Sequence, residues 1–459
     1  MSTSDIIWLL VQVIGSLALF LFGMKYMSEA LQRFAGQGMR NVLASFTSNR
    51  FKSIITGAFV TTVIQSSSAT TVMVVSFVNA GILKLRNAIG VIMGANIGTT
   101  MTAWIITLFG LKFDISAFAI PVIGAGFICM MLNKIKINQV GEFLVGFGIL
   151  FLGLTFLKNT ISDLDLQNSE AVRNIIAACV SDGNAHIGHV LLFLLIGTIL
   201  TTILQSSSAT MALTIVLCSE GVIPLELAVA LVLGENIGTT ITANIAAAIG
   251  NSTAKRAARA HLLFNTIGVL WILVVFRLVM PFINFLTISI EGVSPYVSAA
   301  AVPVALSLFH TLFNIMNTSI LVWFVPQIEK LTSLMVQGSN EEDEVEYRLK
   351  YINTGFMNVG EVSIELAKKE IGEFAKRMVR MYNFIPDLMK MKQNSKEYKP
   401  LLSRVQHYEE ISDRMEIEIA DYLDKIRSES ISGDSSLRMR GMLRIVDNLE
   451  SIGDQNYQL

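Results

Sequence analysis

Long apolar runs separated by short polar loops fill the first 326 residues of the chain. A helix needs about 20 apolar residues to cross roughly 30 Å of hydrocarbon, and stretches of that kind lie at 6–31, 87–110, 115–133, 140–158, 226–250, 260–284 and 300–326. The first lacks a signal peptide's basic leader and is too long for its apolar core, so it is expected to stay as a span. Two more apolar segments, 53–83 and 186–223, are interrupted by one polar string, Gln-Ser-Ser-Ser-Ala-Thr, at 65–70 and 205–210. The arms Ile54–Ile64 and Ala69–Gly81 hold 11 and 13 residues, and at 1.5 Å per residue each covers only about half the bilayer. A re-entrant hairpin with its tip near the midplane fits them better than a span. The first arm of the second copy, Ile187–Leu204, is longer, and there the pattern is less distinct.

After residue 326 the pattern changes. Residues 1–326 carry 16 basic and 12 acidic side chains, whereas 327–459 carry 19 basic and 24 acidic, so two different solvents shaped the chain. Amphipathic, charged segments at 345–392, 397–430 and 435–459 predict three antiparallel helices, with breaks at Lys399-Pro400 and Ser432-Gly433-Asp434. The expected organisation is a transmembrane unit over 1–326, a linker over 327–344 containing the solvated run Glu341-Glu342-Asp343-Glu344, and a helical unit over 345–459. The chain stops five residues after Asp454, so a shortened last helix is expected. A net charge of −1 argues against a nucleic-acid partner. Cys129, Cys179 and Cys218 form no metal spacing and read as small buried residues.

Shifting the chain by 140 residues aligns Thr61-Thr62 with Thr201-Thr202, 65–70 with 205–210, and Gly94-Ala-Asn-Ile-Gly-Thr-Thr100 with Gly234-Glu-Asn-Ile-Gly-Thr-Thr240. A weaker match at 130 pairs Phe22-Gly23-Met24 with Leu152-Gly153-Leu154. The units run from about 10 to 133 and from 140 to 284, with 300–326 as a final span. Placing the basic cluster Arg33, Arg40, Arg50, Lys52 in the cytoplasm puts Lys84, Arg86, Lys134, Lys136, Lys255, Arg256 and Arg259 there too. The N-terminus is then external, with the acidic loop of Asp163, Asp165, Glu170 and Asp182, and the charged C-terminal region is cytoplasmic. Three spans between equivalent points invert the second copy, the plan of secondary transporters whose site lies where broken helices meet. The expected fold class is therefore an all-α membrane protein, an inverted-repeat transporter with two re-entrant hairpins followed by a helical cytoplasmic domain.

Each hairpin tip offers the start of a half-helix, with unpaired amides and a positive dipole end, beside three hydroxyls able to donate to an anion. Gln65, Ser66, Ser67, Ser68 and Gln205, Ser206, Ser207, Ser208 are the candidate anion ligands. Single hydroxyls in membranes often only join helices, but two identical strings at equivalent positions are poorly explained that way. Sodium can be held by unwound carbonyls and neutral oxygen side chains. Thr62, Asn96, Thr99, Thr100, Thr202, Asn236, Thr239 and Thr240 supply these, and Gly94, Gly98, Gly234 and Gly238 permit close backbone approach or serve helix packing. Glu235 stands where the other copy has Ala95; an intramembrane carboxylate is a functional suspect, though water or a local partner could also account for it. His261 with Asn265 and His310 with Asn314 lie one helical turn apart, and interhelical bonding is the simpler reading of both.

These residues resemble the type II sodium/phosphate cotransporter family, whose duplicated Gln-Ser-Ser-Ser motifs are its signature, over roughly residues 10–326. The resemblance implies sodium-driven uptake of inorganic phosphate, Na+ as coupling ion, and the two strings lining the pathway, in a multi-pass protein of a bacterial inner membrane that is not an enzyme; a homodimer is compatible with it. The C-terminal region is similar to a PhoU-type helical module linked to phosphate regulation. Its pairs Glu409 with Asp413 and Glu450 with Asp454 put carboxylates on one helix face, where a divalent or transition metal could bridge them; such pairs also occur on ordinary surfaces. The alternatives are a sodium-independent anion channel, or an exporter of phosphate or a similar oxyanion. An intramembrane serine hydrolase using Ser207 and His189 is disfavoured, because a nucleophile is needed once and the string is duplicated.

Overall fold

The computed structural model describes residues 3–45, 49–79, 83–112, 116–132, 134–181, 184–248, 250–336, 349, 352, 360–392, 397–427 and 433–459. Its helices are α1 (Thr3–Ser45), α2 (Arg50–Ile64), α3 (Ser67–Asn79), α4 (Leu85–Ile105), α5 (Ser116–Met131), α6 (Ile135–Asp163), α7 (Glu170–Cys179), α8 (Ile187–Leu204) and α9 (Ser207–Ser219). There follow α10 (Leu225–Ala247), α11 (Ser252–Val274), α12 (Phe276–Glu291), α13 (Val302–Leu321), α14 (Val325–Met335), α15 (Gly360–Lys390), α16 (Tyr398–Arg427) and α17 (Gly433–Gln458). A π-helical turn, Ile106–Lys112, continues α4, and a two-residue strand pair, Val180–Ser181 with Asn184–Ala185, follows α7.

Seven helical stretches are long and apolar enough to span: Ile7–Phe34, Leu85–Leu111, Ile135–Asn168, Ile187–Leu204, Leu225–Ala247, Ser252–Val274 and Ala299–Met335. The number agrees with the expectation but the membership does not. The expected span 115–133 is the 16-residue α5, and the first arm of the second hairpin is long enough to cross. The expected span 260–284 is two helices, because α11 ends at Val274 and α12 turns away with Phe276, Met280, Ile283 and Thr287 buried along one face. The last span continues through a 3-10 turn into α14 (Val325–Met335), so residues 327–335 are helix where a linker was expected. The acidic run 341–344 lies outside the described residues.

Two apolar cores hold the membrane part together. The first gathers α2, α3, the start of α4 up to Met93, the end of α10 from Ala243, and α11 up to Phe264, with Leu321, Val325 and Ile328. The second gathers α1, α6, α8, α9, α10 up to Leu233, α4 from Ala103, α11 from Val269 and α13 up to Phe313. Four helices therefore cross from one core to the other, and α4 and α10 do so in opposite senses. The stretches they leave between the cores, 94–102 and 234–242, are the two copies of Gly-x-Asn-Ile-Gly-Thr-Thr. Each hairpin stays within one core, the first in the first and the second in the second.

The glycines explain how the hairpins seat against the long helices. A Cβ on Gly94 would lie 1.9 Å from the Ile54 carbonyl oxygen, and one on Gly234 would lie 1.9 Å from that of Leu194. Gly57 against Val91 and Gly197 against Leu231 repeat the same correspondence, so backbone lies on backbone in both copies. The same device joins the first helix of each unit: Gly23 abuts Leu150, and its counterpart Gly153 abuts Phe20. The correspondence ends with the third helices. α11 packs against α3, α4, α10 and α14, while α5 packs chiefly along α6.

Substituting Gly94→Ala or Gly234→Ala should lower the melting temperature in detergent, since overpacking of a tight contact costs about 1–3 kcal/mol or more. Gly124→Ala, where a Cβ meets nothing within 4 Å, should leave it unchanged or slightly raised.

Candidate functional site

Both tips are built alike. α2 ends on Gln65 at φ 57°, ψ 26°, and α8 ends on Gln205 at φ 50°, ψ 27°; a left-handed conformation costs a non-glycine residue roughly 1–2 kcal/mol. The left-handed residue breaks each helix, after which Ser66 and Ser206 cap the helices that follow. Ser66 Oγ accepts from the Ala69 amide and Ser206 Oγ from the Ala209 amide, each at 3.2 Å. Both hydroxyl hydrogens remain able to donate. The amides of residues 67–68 and 207–208 sit in a first turn, where no intrahelical acceptor exists. Ser67, Ser207 and Ser208 are buried, and Ser68 is half-buried.

Threonines absent from the candidate set close each hairpin. Thr61 donates to Thr70 at 3.0 Å and Thr201 to Thr210 at 2.9 Å, tying the arms just below the tip. All four fall inside the repeated windows, so the signal was there in hydroxyls nine residues apart across the break. Ser28 of α1, which donates to the Ile64 carbonyl that ends α2, had no such signal. The tips also differ. Gln65 is buried, with Thr102 donating to its Oε1 at 3.1 Å and its own amide donating to the Thr62 carbonyl, whereas Gln205 is exposed.

The oxygen side chains proposed for sodium line the layer between the cores. Asn96, Thr100, Asn236, Thr239 and Thr240 are buried; Thr62, Thr99 and Thr202 are partly so. The hydroxyls of Thr99, Thr239, Thr100 and Thr240 donate within their helices to the carbonyls of Ala95, Glu235, Ile97 and Ile237, and Thr202 to that of Thr198. Donation inward leaves the oxygen lone pairs as acceptors, the half of a hydroxyl that a cation uses. Asn96 instead donates across to Asn265 Oδ1 at 3.2 Å, while its counterpart Asn236 bonds to its own helix at Val232. Gly94 and Gly234 are filled by helix packing and offer no approach to an ion.

The His–Asn pairs meet the expectation of interhelical bonding only at Asn265, which accepts from Asn96 of α4. Asn265 and Asn314 donate to the carbonyls of His261 and His310 one turn back, but neither imidazole has a hydrogen-bond partner. Glu235 is buried, and its Oε2 is likewise without one.

Far along the chain, carboxylates of Glu409, Asp413 and Asp454 converge within 4.8 Å of one another. Glu450, expected beside them, lies outside that triad. Partial burial, then Asp413 and Asp454, push the Glu409 carboxyl above its ordinary range. Three hard oxygens suit Mg2+, Ca2+ or Mn2+ better than a soft metal.

The pattern of the Na+/Pi-cotransporter family matches residues 19–159 and 167–294. The chain is 30% identical over 328 residues to the uncharacterized protein YqeW of Bacillus subtilis, covering 72% of this chain and 98% of the relative. It is 25% identical over 447 residues to the putative inorganic phosphate export protein YjbB of Escherichia coli, covering 97% and 76%. Over 103 residues, 22% of this chain and 15% of the relative, it is 40% identical to the human sodium-dependent phosphate transport protein 2B. No solved structure matches it. With two capped Gln-Ser-Ser-Ser tips on a helical membrane scaffold, the chain belongs to the Na+/Pi-cotransporter family.

Proposed function

We propose that this protein is a sodium-coupled symporter of inorganic phosphate, with one site formed jointly by the two tips. The observation that carries this reading is that each hairpin is confined to a different core while both motif layers lie between the cores. α3 packs against α10, and α9 against α4, so each returning helix leans on the other copy. Re-entrant hairpins entering from opposite faces account for that arrangement. Phosphate is held by Gln65, Ser67, Ser68, Gln205, Ser207 and Ser208, helped by the donating hydroxyls of Ser66 and Ser206. Sodium is held by the threonine oxygens and asparagines of 96–100 and 236–240 with Thr62 and Thr202.

Charge supports the orientation. Arg50, Lys84, Arg86, Lys255 and Arg256 flank the ends of the first core, while Asp163, Asp165, Glu170, Glu220, Glu226 and Glu291 flank those of the second. The first core therefore faces the cytoplasm. α14 is held on that side by an ion pair from Arg86 to Glu329 and by Arg256 donating to the Val336 carbonyl. Residues 345–459 form a PhoU-like regulator, dispensable for the transport step, with the Glu409 triad as the place for a divalent ion. The export named for the Escherichia coli relative favours a second reading, in which the same site works outward.

Labelled phosphate should enter proteoliposomes only with an inward sodium gradient, and raising sodium should tighten apparent phosphate affinity, because desolvating both ions together is what makes either tolerable. Sodium-indifferent flux would point to the channel; accumulation driven outward, to the exporter. Ser67→Ala and Ser207→Ala should each weaken phosphate about ten- to a hundredfold, the loss of one charge-assisted bond. Silence of one and abolition by the other would exclude a shared site.

Single-cysteine labelling should find position 84 accessible from the cytoplasm and position 163 from outside. An external position 84 would refute the inverted arrangement.

For the C-terminal helices, carboxyls raised in the folded state, Glu409, Glu416 and Glu450, favour folding while protonated. That contribution is lost as pH rises through their folded values. Their unfolding temperature should therefore rise as pH falls from neutral into the acidic carboxylate range, and Glu409→Gln should flatten the trend. The effect, at partly buried groups still open to solvent, is at most about 1 kcal/mol.

A further inference from the structure

Glu235 is the one formal charge in the layer between the cores that the two-tip site leaves unexplained. It is 1% exposed, its Oε2 has no hydrogen-bond partner, and the other copy carries Ala95 in its place. The elements packed against α10 are α3, α8, α9, α11 and α13, with the strand Asn184–Ala185, which carries no titratable side chain, at its start. Of these α3 has no titratable side chain, α8 has His189 in its first turn, and α9 has Cys218 near its end. On α11, Lys255, Arg256 and Arg259 lie in the first two turns, where Ala258 meets Asn244, more than two turns along α10 from Glu235, and Arg256 is committed to Val336. That leaves His261 and His310, whose ring nitrogens have no partners. No lysine or arginine on these elements is placed to neutralise Glu235.

A carboxylate at that depth without a counter-charge is too costly to keep, so the charge is cancelled either by a proton or by a cation that comes and goes. The oxygens around the layer say which kind. Asn314 Oδ1, on α13 between the two cores, is also buried without a partner. Thr239 donates inward to the Glu235 carbonyl at 2.9 Å, leaving its own lone pairs as acceptors. The Glu235 carboxylate and the Thr239 hydroxyl one turn further along α10 are hard oxygen donors suited to a small hard cation.

Building on the symport reading, we propose that Glu235 anchors a sodium site that exists only in the second copy. One sodium ion binds there against a formal negative charge before phosphate arrives, whereas the cation of the first copy, facing Ala95, is balanced by the anion itself. The two halves of the transporter are then alike in scaffold and unequal in charge.

Equilibrium binding of labelled sodium to the purified full-length protein, without phosphate and with choline holding ionic strength constant, tests this. The wild type should bind sodium, and Glu235→Gln and Glu235→Ala should weaken that binding about ten- to a hundredfold, the loss of one charge-assisted contact, with Glu235→Asp retaining part of it. In the wild type alone, sodium but not choline should protect Glu235 from carbodiimide modification read by mass spectrometry, which keeps the test open if the variants do not fold. Unchanged sodium binding in a well-folded Glu235→Gln, or modification indifferent to sodium, would overturn the site and mark the carboxyl as neutralised by a proton. Sodium-independent phosphate uptake by the wild type would sink the symport reading instead, and the two failures are told apart by that measurement.

Discussion

A polar layer caught between two apolar cores is the constraint on which the rest of this molecule depends. Amides and hydroxyls withdrawn from water cost free energy unless they are bonded, and inside a bilayer the helix backbone must satisfy itself. The chain meets both demands locally. The hydroxyls of the layer turn inward on their own carbonyls, Thr99 to Ala95 and Thr239 to Glu235. The breaks in the backbone ladder at Gln65 and Gln205, among the described residues, are capped by the serines that follow them. What remains unpaired there includes a first-turn amide pair at each tip, Glu235 Oε2, Asn314 Oδ1 and the rings of His261 and His310, and on the proposed reading an anion and its cations would complete part of that set.

Close packing lets such a layer exist without collapsing. Because Gly57 and Gly94 on one side, and Gly197 and Gly234 on the other, bring backbones together, each hairpin is wedged against a long helix that continues into the opposite core. A tip cannot move without its long helix, and that helix is gripped by the returning arm of the other copy. Movement at one tip therefore has a physical route to the other, through packed elements rather than through a flexible link.

Much of this was legible in the residues, because a duplicated polar string inside apolar sequence has few other meanings. The arms expected at 54–64 and 69–81 are helices at 50–64 and 67–79. The break at Val275 escaped because a hydropathy run counts apolar residues without their direction. The spacing of Phe276, Met280, Ile283 and Thr287 already described a helix with one buried face. The unequal fates of α5 and α11 were legible too. α11 carries His261 and Asn265 and takes a central place, while α5 has no such groups and leaves Phe118, Ile120, Phe127 and Ile128 exposed. At the site, the serines, asparagines and glycines were found by repetition. Thr61 with Thr70 was not, since a hydrogen bond across the break becomes visible only when the chain reverses. The convergence of Glu409 and Asp413 with Asp454 was legible only in part, as a spacing of four fixes a helix face but says nothing of which neighbouring helix supplies the third carboxylate.

Duplication gives two scaffolds of one shape, and shape alone would give two equal sites. Coulomb energy in a medium of low dielectric changes steeply with a single charge, so one substitution in a shared framework is enough to separate the roles of the halves. Ala95 and Glu235 are that difference, set in the same Gly-x-Asn-Ile-Gly-Thr-Thr frame, at the same place between the cores, and beside the same glycine contact. On the proposed reading, the frame would fix where ions are held, and the side chain at its second position would fix whether the first ion meets a charge or must wait for one. Order of binding would then be a property of one residue placed on a duplicated scaffold rather than of the fold.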